Sequence, residues 1–191
     1  LRLSSTDKFM SPTTRQAQFK AIYEEYKNLV FNLSLQYVQQ AEDAQDITQE
    51  VFVKVFQHLD KYNSNVASMK TWIYRITINQ SLDFLKAKRR KKRFGFITSL
   101  FQGGEAHPSI MHFEHPGIAL EDKEELRQLF EMINRLPDNQ KTALILSRIE
   151  DRSQKEIAEI MNLGVKAVES LLQRAKNNLS KMLKGSEGFL G

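Results

Sequence analysis

Apolar residues recur at helical spacing on both sides of one stretch that neither a helix nor a strand tolerates, and this pattern limits the fold more than anything else in the chain. In the front half Phe19, Ile22, Tyr23, Tyr26, Val30, Leu33 and Tyr37 repeat at threes and fours after a Thr13-x-x-Gln16 capping-box pattern. Ile47, Val51, Val55 and Leu59 do the same, with Phe52 and Phe56 beside them. In the rear half Leu126, Leu129, Phe130, Ile133 and Leu136 form another stripe that Pro137 ends. Between them "FGFITSLFQGGEAHPSIMHFEHPG" carries Gly103, Gly104, Pro108, Pro116 and Gly117, a punctuation dense enough to break either periodicity. No strand-like alternation of useful length occurs. The pattern predicts an all-α chain of two small helical domains joined by a flexible linker. The front bundle is expected over 17–93, the linker over 94–122 and the rear bundle over 123–185, with flexible ends at 1–16 and 186–191.

Composition removes several function classes. The 191 residues contain no cysteine, so disulfides, thiol nucleophiles and cysteine-ligated metals are excluded. No run approaches the roughly 18 apolar residues of a membrane span, and no charged-then-apolar export signal opens the chain, so a cytoplasmic location without membrane insertion is expected. The net charge of +5 is unevenly spread. Residues 1–93 hold 16 Lys and Arg against 9 Asp and Glu, residues 94–122 none against 4, and residues 123–191 hold 12 against 10. A basic front with an acidic middle points to a polyanionic partner for the front.

The most specific local signal is "DRSQKEIAEIMNLGVKAVESLLQRAKNNLSKML". Ser153 and Glu156 form an S-x-x-E capping box opening a short helix with Ile157, Ile160 and Met161 inward, and small Ala158 admits a second helix. Asn162-Leu163-Gly164 makes a tight turn from residues that tolerate positive φ. A second helix follows, with Val168, Leu172, Ala175, Leu179 and Met182 inward. The spacing is that of a helix-turn-helix rather than an ordinary helical hairpin, and such a unit lays its second helix in the DNA major groove. Gln154, Lys155, Lys166, Ala167, Glu169, Ser170, Gln173 and Arg174 are the candidate contacts.

A second nucleic-acid surface lies in the front half. A helix starting near Ser68 ends in "KAKRRKKR", seven basic side chains in eight residues, and places Arg75, Asn79, Asp83, Lys86 and Arg90 on one stripe. Trp72, Ile73 and Ile76 take another face as core. Arg and Lys on such a stripe suit phosphates, while Asn and Asp sort bases. Before it lies "DKYNSNVAS", a polar loop whose Tyr62, with Asn63, Ser64 and Asn65, suits an unpaired base. Lys88 and Arg89 belong to the same cationic block.

Three stretches in this order, "EDAQDITQEVFVKVF" (Glu42–Phe56), "KTWIYRITINQSLDFLKAKRR" (Lys70–Arg90) and "LPDNQKTALILSRIEDRSQKEIAEIMNLGVKAVESLLQRAKNNL" (Leu136–Leu179), resemble the hallmarks of extracytoplasmic-function sigma factors, the small promoter-specificity subunits of bacterial RNA polymerase. The resemblance implies that the front bundle is sigma region 2 and the rear one region 4. It implies that Asp46, Gln49 and Glu50, otherwise readable as a solvated face, dock on the clamp coiled coil of the β′ subunit. It further implies that Tyr62–Asn65, Arg75, Asn79, Asp83, Lys86, Lys88, Arg89 and Arg90 engage the −10 element as it melts, while the helix-turn-helix reads the −35 duplex. Core RNA polymerase, also through its β flap, promoter DNA and an anti-sigma factor are the implied partners; no cofactor and no catalytic residue are implied. The chain departs from the family at Glu169, where many members are basic, and at Leu171, where many carry Arg. That leaves the −35 preference open.

Two other readings are weaker. His107, His112, Glu114 and His115 in "HPSIMHFEH" would be the ligands of a metalloenzyme, but their spacing suits no helix-borne pair and a proline interrupts the segment. A stand-alone helix-turn-helix regulator leaves the basic, aromatic front half without a role.

Overall fold

The computed structural model describes the backbone of residues 12–102 and 122–187 and the side chains within 13–91 and 127–184. Those residues form helices α1 (Pro12–Val38), α2 (Ala41–His58), α3 (Met69–Gln102), α4 (Asp122–Arg135), α5 (Asp138–Arg148), α6 (Gln154–Met161) and α7 (Val165–Glu187), with a short 3-10 turn at Leu59–Lys61 and no strand among them. The fold is all-α. The four histidine-segment residues, like residues 1–11, lie outside the described residues.

Helices α1, α2 and α3 pack mutually into the front bundle. On α2 the buried residues Ala44, Ile47, Val51, Phe52 and Val55 fall at one-turn spacing and meet Val30, Leu33 and Ile73. Burying a side chain of this size contributes about 1.5–3 kcal/mol, which outweighs the modest propensity of β-branched residues for helix. The start of α1 differs from the sequence expectation. Pro12, with its φ preset for a first helical turn, opens the helix, so Thr13 and Gln16 lie inside it rather than capping it. Residues 12–16 therefore lie within α1. Arg15 lies 4.6 Å over the Phe56 ring, donates to the Phe56 carbonyl at 2.6 Å and pairs with Asp60 at 3.2 Å, fastening the start of α1 to the end of α2. Tyr23, on the apolar stripe of the first helix, and Phe56, beside that of the second, stay 39% and 37% exposed at the edge of an aromatic cluster with Phe19 and Phe52.

In the rear bundle α7 packs on α5 and α6, and α4 touches α7. Phe130 and Ile133 of α4 are buried with Ile145, Leu146, Ile157 and Val168, whereas Leu129 remains 42% exposed. Helix α3 continues through Gln102, beyond Arg93, and α7 runs through Glu187.

The two bundles meet. The Tyr37 hydroxyl of α1 donates to Thr142 Oγ1 of α5 at 2.9 Å. Gln36 Nε2 and the Tyr74 hydroxyl donate to the two carboxylate oxygens of Glu150 at 2.6 and 2.8 Å. Arg75 donates to the carbonyls of Glu159 and Ile160 at 2.7 and 3.2 Å, where α6 ends.

The turn after α6 rests on one residue. Asn162 takes the left-handed conformation (φ 53°, ψ 48°) and its N–H closes the helix on Glu159 O, while no such φ falls on Gly164. Replacing Asn162 by Gly should leave stability nearly unchanged, whereas Asn162→Val should cost about 1–2 kcal/mol or more, measured by urea denaturation.

Candidate nucleic-acid interface

The helix-turn-helix is built as its sequence predicts. Ser153 Oγ accepts from the Glu156 N–H at 3.3 Å while the Glu156 carboxylate accepts from the Ser153 N–H at 2.8 Å, closing the capping box. The Ser153 N–H, and after it the Ser153 hydroxyl, donate to the Glu156 carboxylate and hold it below its usual range. Val168 and Ala175 are fully buried and set the rotation of α7, which turns Lys166, Ala167, Glu169, Gln173 and Arg174 outward; Gln154 and Lys155 are exposed on α6. Ser170 is half-buried and accepts from Arg174 Nη2 and Nε at 2.7 and 3.2 Å, so the guanidinium is preset along the helix. Gln173 donates to Asn177 Oδ1 at 3.2 Å in the same way.

The loop before α3 is organised by its own polar groups. Asn63 Oδ1 accepts from the Asn65 N–H at 3.0 Å, and the Asn63 carbonyl accepts from Val66 N–H at 3.0 Å, forming a tight Asx turn. Tyr62 is less exposed than the sequence implies. Its hydroxyl donates to the Ala67 carbonyl at 3.1 Å and its ring lies 5.2 Å from that of Trp72, which is itself partly buried rather than core. Tyr62 and Asn63 thus hold the loop, while Ser64, Asn65 and Val66 form its outer face. Val66, 73% exposed, is an apolar tip that sequence reasoning passed over; a lone valine in a loop gives no periodic signal.

The α3 stripe divides into engaged and outward groups. Lys88 donates to Asp43 Oδ2 at 2.6 Å and to Gln40 Oε1 at 3.0 Å, tying α3 to the start of α2. Lys86 lies 3.7 Å and Arg89 3.8 Å from Asp138 of α5, and Lys86 also lies 3.9 Å from Asp83. Asn79, Arg90 and Lys91 are exposed. Asn79 lines a crevice with Asn139 and Asn162 of the rear bundle, and Arg75 lines the adjoining one with Ser64, Asn65, Lys155 and Glu159.

Two further surfaces lie elsewhere. Asp46, Gln49 and Glu50 are exposed on α2 as expected, and Val53, 49% exposed at the next turn of that stripe, supplies an apolar centre. Between α5 and α7, Leu144, Leu172, Leu179 and Leu183 line an open groove rimmed by Arg148 and Lys176. Facing the front bundle instead, Lys141 is fully buried, with its ammonium 5.6 Å from the Tyr37 ring centroid and no hydrogen-bond partner. Burial lowers its pKa to about 8, with Asp138 opposing that shift.

The two halves match two family models: sigma-70 region 2 over residues 22–91 and sigma-70 region 4 over residues 126–179. The chain is 31% identical over 169 residues to the RNA polymerase sigma-H factor of Pseudomonas aeruginosa, covering 86% of each chain. It is 28% identical over 173 residues to the ECF RNA polymerase sigma factor SigW of Bacillus subtilis, covering 88% of this chain and 90% of the relative. To the ECF RNA polymerase sigma-E factor of Escherichia coli it is 31% identical, covering 84% of each. Among solved structures, CnrH in complex with the cytosolic domain of CnrY has the same fold, with a TM-score of 0.61 at 20% identity over 89% of this chain and 90% of that one. RpoE of Bartonella quintana, in complex with the anti-sigma factor NepR, also has a TM-score of 0.61, at 18% identity over 87% of this chain and 97% of that one. The chain therefore belongs to the sigma-70 family, in its extracytoplasmic-function group.

Proposed function

We propose that this sigma factor divides promoter recognition between its bundles: the loop 62–67 and the outward side of α3 hold the melted −10 strand, and the N-terminal half of α7 reads the −35 duplex. What supports this reading is the pairing, on one chain, of two unlike surfaces, each suited to nucleic acid. One is a helix-turn-helix with outward side chains for base edges. The other is a rigid loop with an exposed tip beside a basic helix, suited to unstacked bases rather than to a groove. Opening the duplex then needs no chemistry from the protein, only a melted strand bound better than the paired one, since each flipped base costs a few kcal/mol. Ser64, Asn65 and Val66 offer polar and apolar contacts to such a base, and Arg90 and Lys91 offer phosphate contacts.

Polymerase would be held at two places away from those surfaces. Asp46, Gln49, Glu50 and Val53 on α2 suit the clamp coiled coil, a polar stripe with one apolar anchor. The leucine groove between α5 and α7 suits an amphipathic helix, the shape expected of the β flap. An anti-sigma factor is the expected antagonist. Capture of core RNA polymerase by the purified chain, followed by transcription from genomic fragments, tests the whole reading; failure to associate with the core enzyme sinks it.

Three outcomes are expected. Gln49→Ala with Glu50→Ala should weaken capture of core enzyme while leaving helicity intact, and Val53→Asp should weaken it further, as measured by competition for labelled polymerase. The cationic block should split: Arg90→Ala with Lys91→Ala should reduce the salt dependence of strand binding by about 0.7 per lost phosphate contact, while Lys88→Ala should instead lower unfolding stability by loosening α3 from α2. Asn65→Ala should change which melted base is preferred with an unchanged salt slope, whereas Asn63→Ala should weaken binding to every base alike, because it removes the turn that presents the loop.

A further inference from the structure

From Val165 to Lys184 the sequence of α7 contains a single acidic residue, Glu169. Val168 and Ala175, both fully buried, fix the inward side of the helix. At about 100° per residue, Glu169 falls on the exposed flank one turn before Gln173, in the half of the helix that a helix-turn-helix aims at base edges. Its polar neighbours have partners: Arg174 donates to Ser170, and Gln173 to Asn177. Glu169 has no ion pair or hydrogen bond among the described residues, although Lys166 lies one turn before it and Arg148 and Lys176 line the same groove.

A free carboxylate is a costly group to bring against DNA. It is repelled by the phosphates, sheds water on contact and can only accept hydrogen bonds. A surface that merely gripped the backbone would carry a lysine or an amide there instead. The major groove returns a donor at two places only, the N4 amino group of cytosine and the N6 amino group of adenine. On adenine the N7 acceptor stands beside the amino group and opposes the second carboxylate oxygen, whereas on cytosine a C–H edge stands there. Guanine and thymine present acceptors to the groove and no donor.

We propose that Glu169 is a specificity-determining residue whose carboxylate accepts a hydrogen bond from N4 of a cytosine in the −35 duplex. The assignment rests on the −35 role of α7 given above. A hydrogen bond to an ionised acceptor is stronger than one between neutral groups, and thymine or guanine at the same place sets acceptor against acceptor. Discrimination therefore comes as much from rejection of the wrong base as from attraction to the right one. The exposed cations Lys155, Lys166 and Lys176 of the same helix-turn-helix offset the repulsion between Glu169 and the backbone.

Holoenzyme assembled from core RNA polymerase and the full chain, selecting from a pool of double-stranded DNA fragments with a randomised segment, reports the base preference at each position. The native chain should favour cytosine over thymine by about tenfold at one −35 position. Glu169→Gln should move that position to adenine, because an amide donates to N7 while it accepts from N6. Glu169→Ala should level it, with the preferences at other positions unchanged. A uniform gain in affinity on every sequence in both variants, with the cytosine preference intact, would mean that Glu169 faces only phosphates and overturns the proposal. Altered capture of core enzyme with unaltered base preference makes Glu169 part of the groove rim and overturns it as well. Arg174→Ala separates this inference from the reading beneath it. Preferences that respond to Arg174→Ala but not to Glu169→Gln sink the cytosine contact alone; preferences that respond to none of the three variants sink the assignment of α7 to the −35 duplex.

Discussion

A helix covered on nearly all sides has to be apolar all round or find partners for whatever is polar, and α5 does neither completely. From Gln140 to Leu146 only Leu144 keeps partial exposure. Ile145 and Leu146 face aliphatic neighbours, Gln140 accepts from Asn178 of α7 at 2.9 Å, and Thr142 accepts from Tyr37. Lys141 alone is left with a ring face and no acceptor. The cation–π contact returns part of what desolvation removes, but a lysine of ordinary pKa gives up its hydration to enter this position. Thr142 and Lys141 thus take their cover from the front bundle, from the hydroxyl and the ring of Tyr37.

The cores were legible because periodicity is a statement about burial. Ile47, Val51 and Val55 announced the inner face of α2, and Val168 and Ala175 that of α7, and all five are fully or almost fully buried. The capping box at Ser153 and Glu156 was equally plain, since it is a local exchange of two hydrogen bonds. Legibility failed where a residue's partner is remote in sequence. Nothing near Lys88 says that its ammonium meets Asp43, forty-five residues earlier, or that Glu150 receives Tyr74. Charge in a run of charges reads as solvated, and only the fold distinguishes the lysine that braces a helix from the arginine that faces water.

The same limit applies to Tyr62 and Asn63. A tyrosine and an asparagine in a polar loop look like ligand contacts, because both residue types serve that purpose. Here each spends its hydrogen-bonding group on the loop itself, Tyr62 on the Ala67 carbonyl and Asn63 on the Asn65 amide. The resemblance to sigma factors singles out this loop, yet it could not divide the residues that shape it from those that it presents.

That division has a consequence for melting. A loop that became ordered only on meeting an unpaired base would lose conformational entropy at that moment, about 1–2 kcal/mol for each residue fixed, on top of the unstacking of the base. The Asx turn, the Tyr62–Ala67 hydrogen bond and the Tyr62–Trp72 ring contact set that order in the absence of DNA. Under the −10 role proposed above, binding energy from Ser64, Asn65 and Val66 would then be available to offset the distortion of the duplex instead of the folding of the loop. Since Trp72 stands one residue after buried Thr71 and one before buried Ile73, the loop's orientation is inherited directly from the core of the front bundle. Rigidity at the tip is therefore a property of how α3 is packed, and under the proposed −10 role a substitution such as Ile73→Ala, made in the core, should weaken strand capture through the same chain of contacts.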